Sequence, residues 1–226
     1  MIRKLVVCLS VLDSRLVLSK QLYSYIIISL STKLVMSGKQ AKILSEDDLQ
    51  DLLVYASATR NPARNRVVVL LSAKAGLRAA EIANLTWDMV VDPTGDVSTA
   101  IELRDHAAKK RSGRLIPLHK ELRDALVAWR ATSRGTGPVV LSERGGAMTA
   151  LSVVVWFGRA YGTIGLEGCS SHSGRRTFIT RAARLAHRAG GSLRDVQLLA
   201  GHRSIQTTQR YIDGDTDAQR KLVSLI

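Results

Sequence analysis

The sequence predicts a mainly α-helical fold with one small antiparallel β-sheet, an α+β domain. Apolar residues recur at helical spacing behind capping signals, as in Ser45–Ala56. Short β-prone runs cluster only in the middle of the chain, between residues 87 and 118. Hydrophobic residues make up 46% of the 226, enough for a sizeable core in one large domain.

Helices are predicted on both sides of these runs. The first begins after the capping residue Ser45, and the second runs from about Pro62 to Ala75 and stops at Gly76. A third follows at once, over residues 77–85, so that Arg78 lies at a tight corner between two helices. Further helices are predicted at 119–130, from Thr149 to 161, at 173–185, at 192–200 and at 216–226. A short helix that starts after Ser204 is expected to carry Tyr211.

The β-prone runs are residues 87–91, 98–103 and 114–118. Turn residues separate them, with Asp92-Pro93-Thr94-Gly95 after the first run and residues 109–113 before the last. We expect a small antiparallel sheet whose last hairpin carries a basic tip, Lys109-Lys110-Arg111.

Residues 1–40 differ in pattern from the rest of the chain. The apolar run 5–12 resembles the core of a signal peptide, but Asp13 and Arg15 interrupt it and no small-residue cleavage site follows. It is also too short to span a bilayer. We therefore expect an atypical extension, from a mis-assigned upstream start or a disordered segment, with residues 41–226 forming the folded domain.

The charge balance favours a polyanionic partner. Lysine and arginine number 33 against 19 aspartate and glutamate, a net charge of +14. Aromatic residues are only 4%, which argues against a stacking platform for single strands or RNA loops and favours double-stranded DNA. The alternative is a merely soluble basic protein. The two cysteines, Cys8 and Cys169, are too few for a disulfide framework and indicate reduced thiols in a cytosolic protein.

A tyrosine near the C-terminus is the candidate nucleophile. Tyr211 needs nearby cations, because a phenol with a pKa of about 10 is a poor nucleophile at neutral pH. Attack on a phosphodiester builds negative charge on its oxygens, and arginines stabilise that charge without a metal. Alone, each of these residues is more often a structural or solvated side chain; together they favour chemistry on phosphate. The candidate cations and proton donors are Arg78, His172, Arg175, His202 and Lys109 or Lys110.

The joint pattern resembles the catalytic domain of the tyrosine recombinases, the phage integrase family of site-specific DNA recombinases. The five matching segments are Ala75–Ile82, Lys109–Leu118, His172-Ser173-Gly174-Arg175-Arg176, Leu199–His202 and Tyr211. The chain departs from the family at Gly174, Arg176 and Ala200. None of these removes a catalytic group, but we expect Gly174 to loosen the start of its helix.

The resemblance implies a role for each matching residue. Tyr211 would form a covalent 3′-phosphotyrosyl link to DNA and release a 5′-hydroxyl. Arg78 and Arg175 would hold the scissile phosphate, with His172 and His202 assisting. Lys109 would be the general acid, with Lys110 as the alternative, and Glu81 would support Arg78.

The resemblance also implies the setting in which the protein works. It implies a recombinase of the mobile-element type, without metal or cofactor, acting at the nucleoid in the cytoplasm and independent of membranes. We expect a homotetramer on double-stranded DNA, a monomer or weak dimer without it, and help from accessory DNA-bending proteins. The family's N-terminal core-binding domain is expected to be absent. The alternatives are a catalytically weak remnant or DNA-binding factor with the same fold, and a type IB topoisomerase-like relaxing activity.

Overall fold

A computed structural model describes residues 41–108, 112–211, 220, 223, 224 and 226. Three expectations lie outside these residues: the extension 1–40, the tip Lys109-Lys110-Arg111 and most of the terminal helix. No helix in the described part of the chain is both long and apolar enough to cross a bilayer. The helices are α1 Glu46–Ser57, α2 Pro62–Ala73, α3 Ala79–Asn84, α4 Lys120–Thr132, α5 Ala150–Thr163, α6 Ser173–Ala186, α7 Leu193–Ala200 and α8 Ile205–Gln209.

Helix α2 lies at the centre of the described domain. Nine of its 12 residues are buried, including the run from Val67 to Ala73, and it packs against α1, α3, α4 and α6. A helix that is apolar on most sides has to be covered on most sides. The sequence of α2 therefore determines that other helices surround it.

Local capping explains where several helices begin. Ser45 and Asp48 cap α1 reciprocally, with the Asp48 N–H donating to Ser45 Oγ at 3.0 Å and the Ser45 N–H to the Asp48 carboxylate at 2.8 Å. Ser192 and Asp195 form the same box at α7. Thr149 accepts from the backbone of Ser152 at the start of α5. These starts agree with the sequence prediction within a residue or two.

The sheet has two antiparallel strands, β1 Ala100–Leu103 and β2 Arg114–Pro117. Ile101 pairs with Ile116, and both side chains are buried. The strand predicted at 87–91 is wrong, because Trp87–Met89 is a 3₁₀ turn. Its β-like composition reflects burial instead: Trp87 and Met89 are each 2% exposed and reach the core from a tight turn.

Gly76 ends α2 and sets the direction of α3. Its φ of +64° is left-handed, and a Cβ there would lie 2.4 Å from the Phe178 ring. The Leu77 N–H then donates to the carbonyl of Leu71 at 3.0 Å, which closes the end of α2. Arg78 follows as the residue that caps α3, at the corner that the sequence predicts.

Candidate active site

An open cleft of about 280 Å³ lies where the start of α3, the start of β2 and the α7–α8 corner meet. No acidic side chain is among the described residues that line it, so the cleft suits an anion. It is lined by Arg78, Ser112, Gly201, His202, Arg203, Ser204 and Thr207.

Arg78 is held at the edge of the cleft by Glu81, one turn further along. Its Nη1 donates to Glu81 Oε1 at 2.6 Å and its backbone N–H to Oε2 at 3.0 Å. The Arg78 side chain is 22% exposed, whereas Glu81 is fully buried. The carboxylate therefore fixes the base of the arginine and leaves part of the side chain accessible from the cleft.

Glu81 has a second arginine partner, Arg114, at the start of β2. The Arg114 Nη1 and Nη2 atoms donate to the two carboxylate oxygens at 3.3 and 3.0 Å. Burial by itself would raise the pKa of Glu81, but the hydrogen bonds and charge of Arg114, followed by those of Arg78, outweigh it and lower the pKa. Glu81 is thus a charged carboxylate shared by two arginines.

Arg175 lies beneath the cleft in the first turn of α6 and is 3% exposed. Its Nη1 donates to the carbonyl of Gly76, and its Nη2 to the carbonyl of Ala200 at 2.6 Å. Burial, followed by the charge of Arg78, lowers the pKa of Arg175 to about 10, so the guanidinium stays charged at neutral pH. It ties the end of α2 to the end of α7.

His202 connects this arginine to the tyrosine segment. Its Nε2 lies 3.0 Å from Arg175 Nη2, and its Nδ1 lies 3.0 Å from Thr208 Oγ1. A guanidinium can only donate, so Nε2 accepts and Nδ1 carries the proton that is donated to Thr208. Burial, followed by the charges of Arg175, Arg78 and Arg114, lowers the pKa of His202 to about 4. The imidazole is therefore neutral at pH 7.

Tyr211 stacks on the ring of His202. The two ring centroids are 5.5 Å apart and the planes are inclined by 23°. Tyr211 is half-buried and also packs against a small apolar cluster of Ile179, Val196 and Ala200. It lies just after α8, which ends at Gln209, whereas the sequence predicts that the helix itself carries it.

Two predicted site residues are not among the described residues that line the cleft. His172 precedes α6 as predicted, but it is exposed and does not line the cleft. Lys109, like its alternative Lys110, lies outside the described residues. The structure thus brings together Arg78, Arg175, His202 and Tyr211.

Two residues that contribute to the site were not predicted from the sequence. Thr208 is fully buried and fixes the ring of His202, yet nothing in its sequence context distinguishes it from its neighbour Thr207. Arg114 could have been found, because the period of two along β2 puts it on the same face as the buried Ile116. A charged residue on the inward face of a strand requires a buried partner.

Gly174 has a role that the sequence did not predict. Gly174 is in the first turn of α6 and lies against α2, where a Cβ would be 2.4 Å from Ser72 Oγ. The glycine therefore allows α6 to approach α2 closely. This close approach brings Arg175, the next residue, beneath the cleft.

The arrangement places the ring of Tyr211 against His202, which lines a cleft that suits an anion. Positive charge comes from side chains held by backbone carbonyls and by one buried carboxylate. Within the described residues, no group of three or more His, Cys, Asp or Glu side chains is arranged to hold a metal ion. Such a site can hold a phosphodiester and bring an oxygen nucleophile to it.

The fold and site define a helical domain with a tyrosine next to an arginine- and histidine-lined cleft. The model of the phage integrase family matches residues 42–217, and the chain belongs to this family. The tyrosine recombinase XerC of Brucella suis biovar 1 is 32% identical over 160 residues, which are 68% of this chain and 47% of that protein. The tyrosine recombinase XerA of Thermococcus kodakarensis is 28% identical over 183 residues, 80% of this chain and 61% of that protein.

The chain spans about half the length of these curated relatives. Among solved structures, the XerA recombinase superposes with a TM-score of 0.65 at 24% identity, covering 83% of this chain and 66% of that one. The Tn1549 transposon integrase in complex with transposon right end DNA gives 0.63 at 20% identity, covering 87% and 70%. The predicted fold class is thereby confirmed.

Proposed function

We propose that this protein is a site-specific DNA recombinase that cleaves and rejoins duplex DNA through a 3′-phosphotyrosyl intermediate on Tyr211. One observation carries the proposal: the Tyr211 ring stacks on His202, which contacts Arg175 and lines the cleft with Arg78. Nucleophile and phosphate-binding cations therefore share one location. Family membership and the recombinases among its relatives support the same conclusion.

The reaction is a pair of transesterifications. The phenol oxygen of Tyr211 attacks the phosphorus and forms a P–O bond as the bond from phosphorus to the 5′ oxygen breaks. The phenol proton passes to a base, for which His172 and His202 are the candidates, and the leaving 5′ oxygen takes a proton from Lys109, with Lys110 as the alternative donor. Attack by a 5′-hydroxyl on the phosphotyrosine reverses these steps, so rejoining requires no ATP.

The arginines supply stabilisation of the charge that develops on the phosphate. Arg78 reaches the cleft with part of its side chain accessible, while Arg175 is held beneath it by two backbone carbonyls. Groups fixed before the reaction do not have to reorganise during it, which is the main source of electrostatic catalysis. We expect both arginines to contribute more in the transition state than in binding.

Double-stranded DNA is the proposed partner. The net charge of +14 and the cleft without acidic side chains support it. The Tn1549 integrase is bound to transposon right end DNA, and a λ integrase dimer to a core site, in structures that share the fold. Exchange of strands between two duplexes requires four protomers, so we propose a tetramer on DNA, aided by accessory DNA-bending proteins. Residues 41–226 would be the catalytic domain, acting at the nucleoid.

The experiment is covalent trapping. Nicked suicide duplexes, tiled across the DNA that flanks the gene, are incubated with the protein and resolved on a denaturing gel. We expect a protein–DNA adduct on one or a few duplexes and none with Tyr211→Phe. An adduct that persists in Tyr211→Phe would refute the assignment of the nucleophile.

Other outcomes would point to the alternatives. Relaxation of supercoiled plasmid without any sequence requirement would indicate a type IB topoisomerase-like activity. Tight duplex binding with no adduct on any substrate would indicate a remnant or a DNA-binding factor that keeps the fold. Arg78→Ala and Arg175→Ala, tested in parallel, should suppress adduct formation more than they weaken binding.

A further inference from the structure

The Arg114 guanidinium sits at the junction of three parts of the site, although it does not line the cleft. Its side chain is 6% exposed. Nη1 and Nη2 donate to Glu81, Nε donates to the carbonyl of Leu199 at 2.8 Å, and Nη1 also donates to the carbonyl of Ser112 at 3.3 Å. One planar group thus joins α3, the end of α7 and the residues just before β2.

The contact with Glu81 determines how that carboxylate can hold Arg78. Its Oε1 accepts from the Nη1 atoms of both arginines, and Oε2 from Arg114 Nη2 and the Arg78 N–H. A carboxylate has about four lone-pair positions, and these four donors use them. Glu81 therefore cannot rotate to take Arg78 in a two-pronged grip, which would draw that side chain away from the cleft.

The contact with α7 fixes the other side of the cleft. Leu199 lies in the last turn of α7, and Gly201 follows with a left-handed φ of +62°. A Cβ on Gly201 would lie 2.8 Å from Arg114 Nη1, so the guanidinium packs directly beneath the turn that leads to His202. The positions of Arg78 and His202 therefore both depend on the same side chain.

We propose that Arg114 is a positioning residue: it holds Glu81 so that Arg78 faces the cleft, and it fixes the α7 corner that carries His202. The proposal rests on the proposed function, because Arg78 and His202 line the cleft that holds the phosphate there. Arg114 itself touches no substrate. Its removal should leave the domain folded but slow the chemistry.

The main test is the rate of adduct formation at saturating suicide duplex. Arg114→Met removes every one of these hydrogen bonds, and we expect a loss on the order of 100-fold, the usual effect of a misplacement of about 1 Å in an active site. Arg114→Lys keeps the charge but not the planar fork, so its rate should be intermediate. Arg104→Met is the matched control. Arg104 directly follows β1, the strand that pairs with β2, and its side chain pairs with Asp88 at the surface. Its rate should equal that of wild type.

A second substrate separates positioning from general damage. A duplex with a methylphosphonate at the scissile position lacks one charged oxygen, so it depends less on a correctly aimed arginine. Arg114→Met should therefore lose much less rate on methylphosphonate than on phosphodiester. An equal loss on both substrates would mean that Arg114 has only a general structural role and would overturn the proposal.

A measurement without DNA keeps the proposal separate from the proposed function. The ¹⁵N Nε–Hε resonance of Arg78, assigned by its disappearance in Arg78→Lys, should move in Arg114→Met and not in Arg104→Met, while the backbone spectrum stays dispersed. If wild type forms no adduct on any duplex, the proposed function fails, but the Arg78 resonance still tests whether Arg114 positions Arg78. An unmoved Arg78 resonance refutes the positioning role.

Discussion

The imidazole of His202 accepts a hydrogen bond at Nε2 from Arg175 Nη2 over 3.0 Å, beneath the floor of the cleft. This contact requires a neutral imidazole, because the Nε2–H of a protonated ring and the N–H of the Arg175 guanidinium would both be donors and would face each other. Thr208 completes the arrangement by accepting from Nδ1. The resting site therefore holds one histidine tautomer, fixed on both sides.

The first prediction concerns pH and stability. The pKa of His202 in the folded state is about 4, against an ordinary value of 6.5, so folding favours the neutral ring. The stabilisation is complete above pH 6.5 and is lost as the pH falls toward 4, on the order of 3 kcal/mol in the free energy of unfolding. Urea titrations across this window should show a steeper loss in wild type than in His202→Asn. Parallel curves for the two proteins would contradict the prediction.

A second prediction concerns the buried carboxylate. Glu81→Ala leaves Arg78 and the nearly buried Arg114 without their shared anion, so the free energy of unfolding should fall by about 3–5 kcal/mol. The control is Asp124→Ala, which breaks an exposed pair with Lys120 and should cost no more than about 0.5 kcal/mol. Chemical denaturation measures both. Equal costs would show that the buried pairing contributes nothing beyond a surface ion pair.

Gly174 provides a third test, on packing. In Gly174→Ala the new Cβ would lie 2.4 Å from Ser72 Oγ and 3.0 Å from Ser72 Cβ, so α6 must move and stability should fall by about 1–3 kcal/mol. Adding Ser72→Ala should recover part of this loss. Gly158→Ala, in α5 with nothing within 4 Å, should be neutral or stabilising by up to about 1 kcal/mol. Thermal or urea unfolding would distinguish the three variants, and a harmless Gly174→Ala would refute the close approach.

The fourth prediction separates backbone strain from crowding at the α7 corner. Gly201 and Gly190 both have left-handed φ, +62° and +70°, so alanine should cost each about 1–2 kcal/mol. Only at Gly201 would the Cβ also meet Arg114, at 2.8 Å, whereas Gly190 has open space. Gly201→Ala should therefore be clearly less stable than Gly190→Ala in urea unfolding. It should also shift the Arg78 side-chain resonance, which Gly190→Ala leaves in place.

Local signals in the sequence predicted much of the fold. Capping residues such as Ser45, Thr149 and Ser192 located helix starts because they satisfy backbone N–H groups within three residues. The strand predicted at 87–91 was wrong because the apolar residues there are buried from a 3₁₀ turn, and burial alone gives a strand-like composition. Periodicity over five residues is too short to separate them.

The candidate site likewise has features that local sequence predicts and features that it does not. The sequence by itself determined the types and order of the candidate site residues, with Arg78 at a helix corner and Arg175 in a first helical turn, because those features depend on neighbours along the chain. Only the tertiary structure decided that Arg114 shares Glu81 with Arg78, that Gly174 lets α6 approach Ser72, and that Tyr211 stacks on a neutral His202. The largest separation among these contacts is 102 positions, between Gly174 in α6 and Ser72 in α2. Desolvation and close packing depend on elements that are distant along the chain, so a local sequence pattern does not predict them.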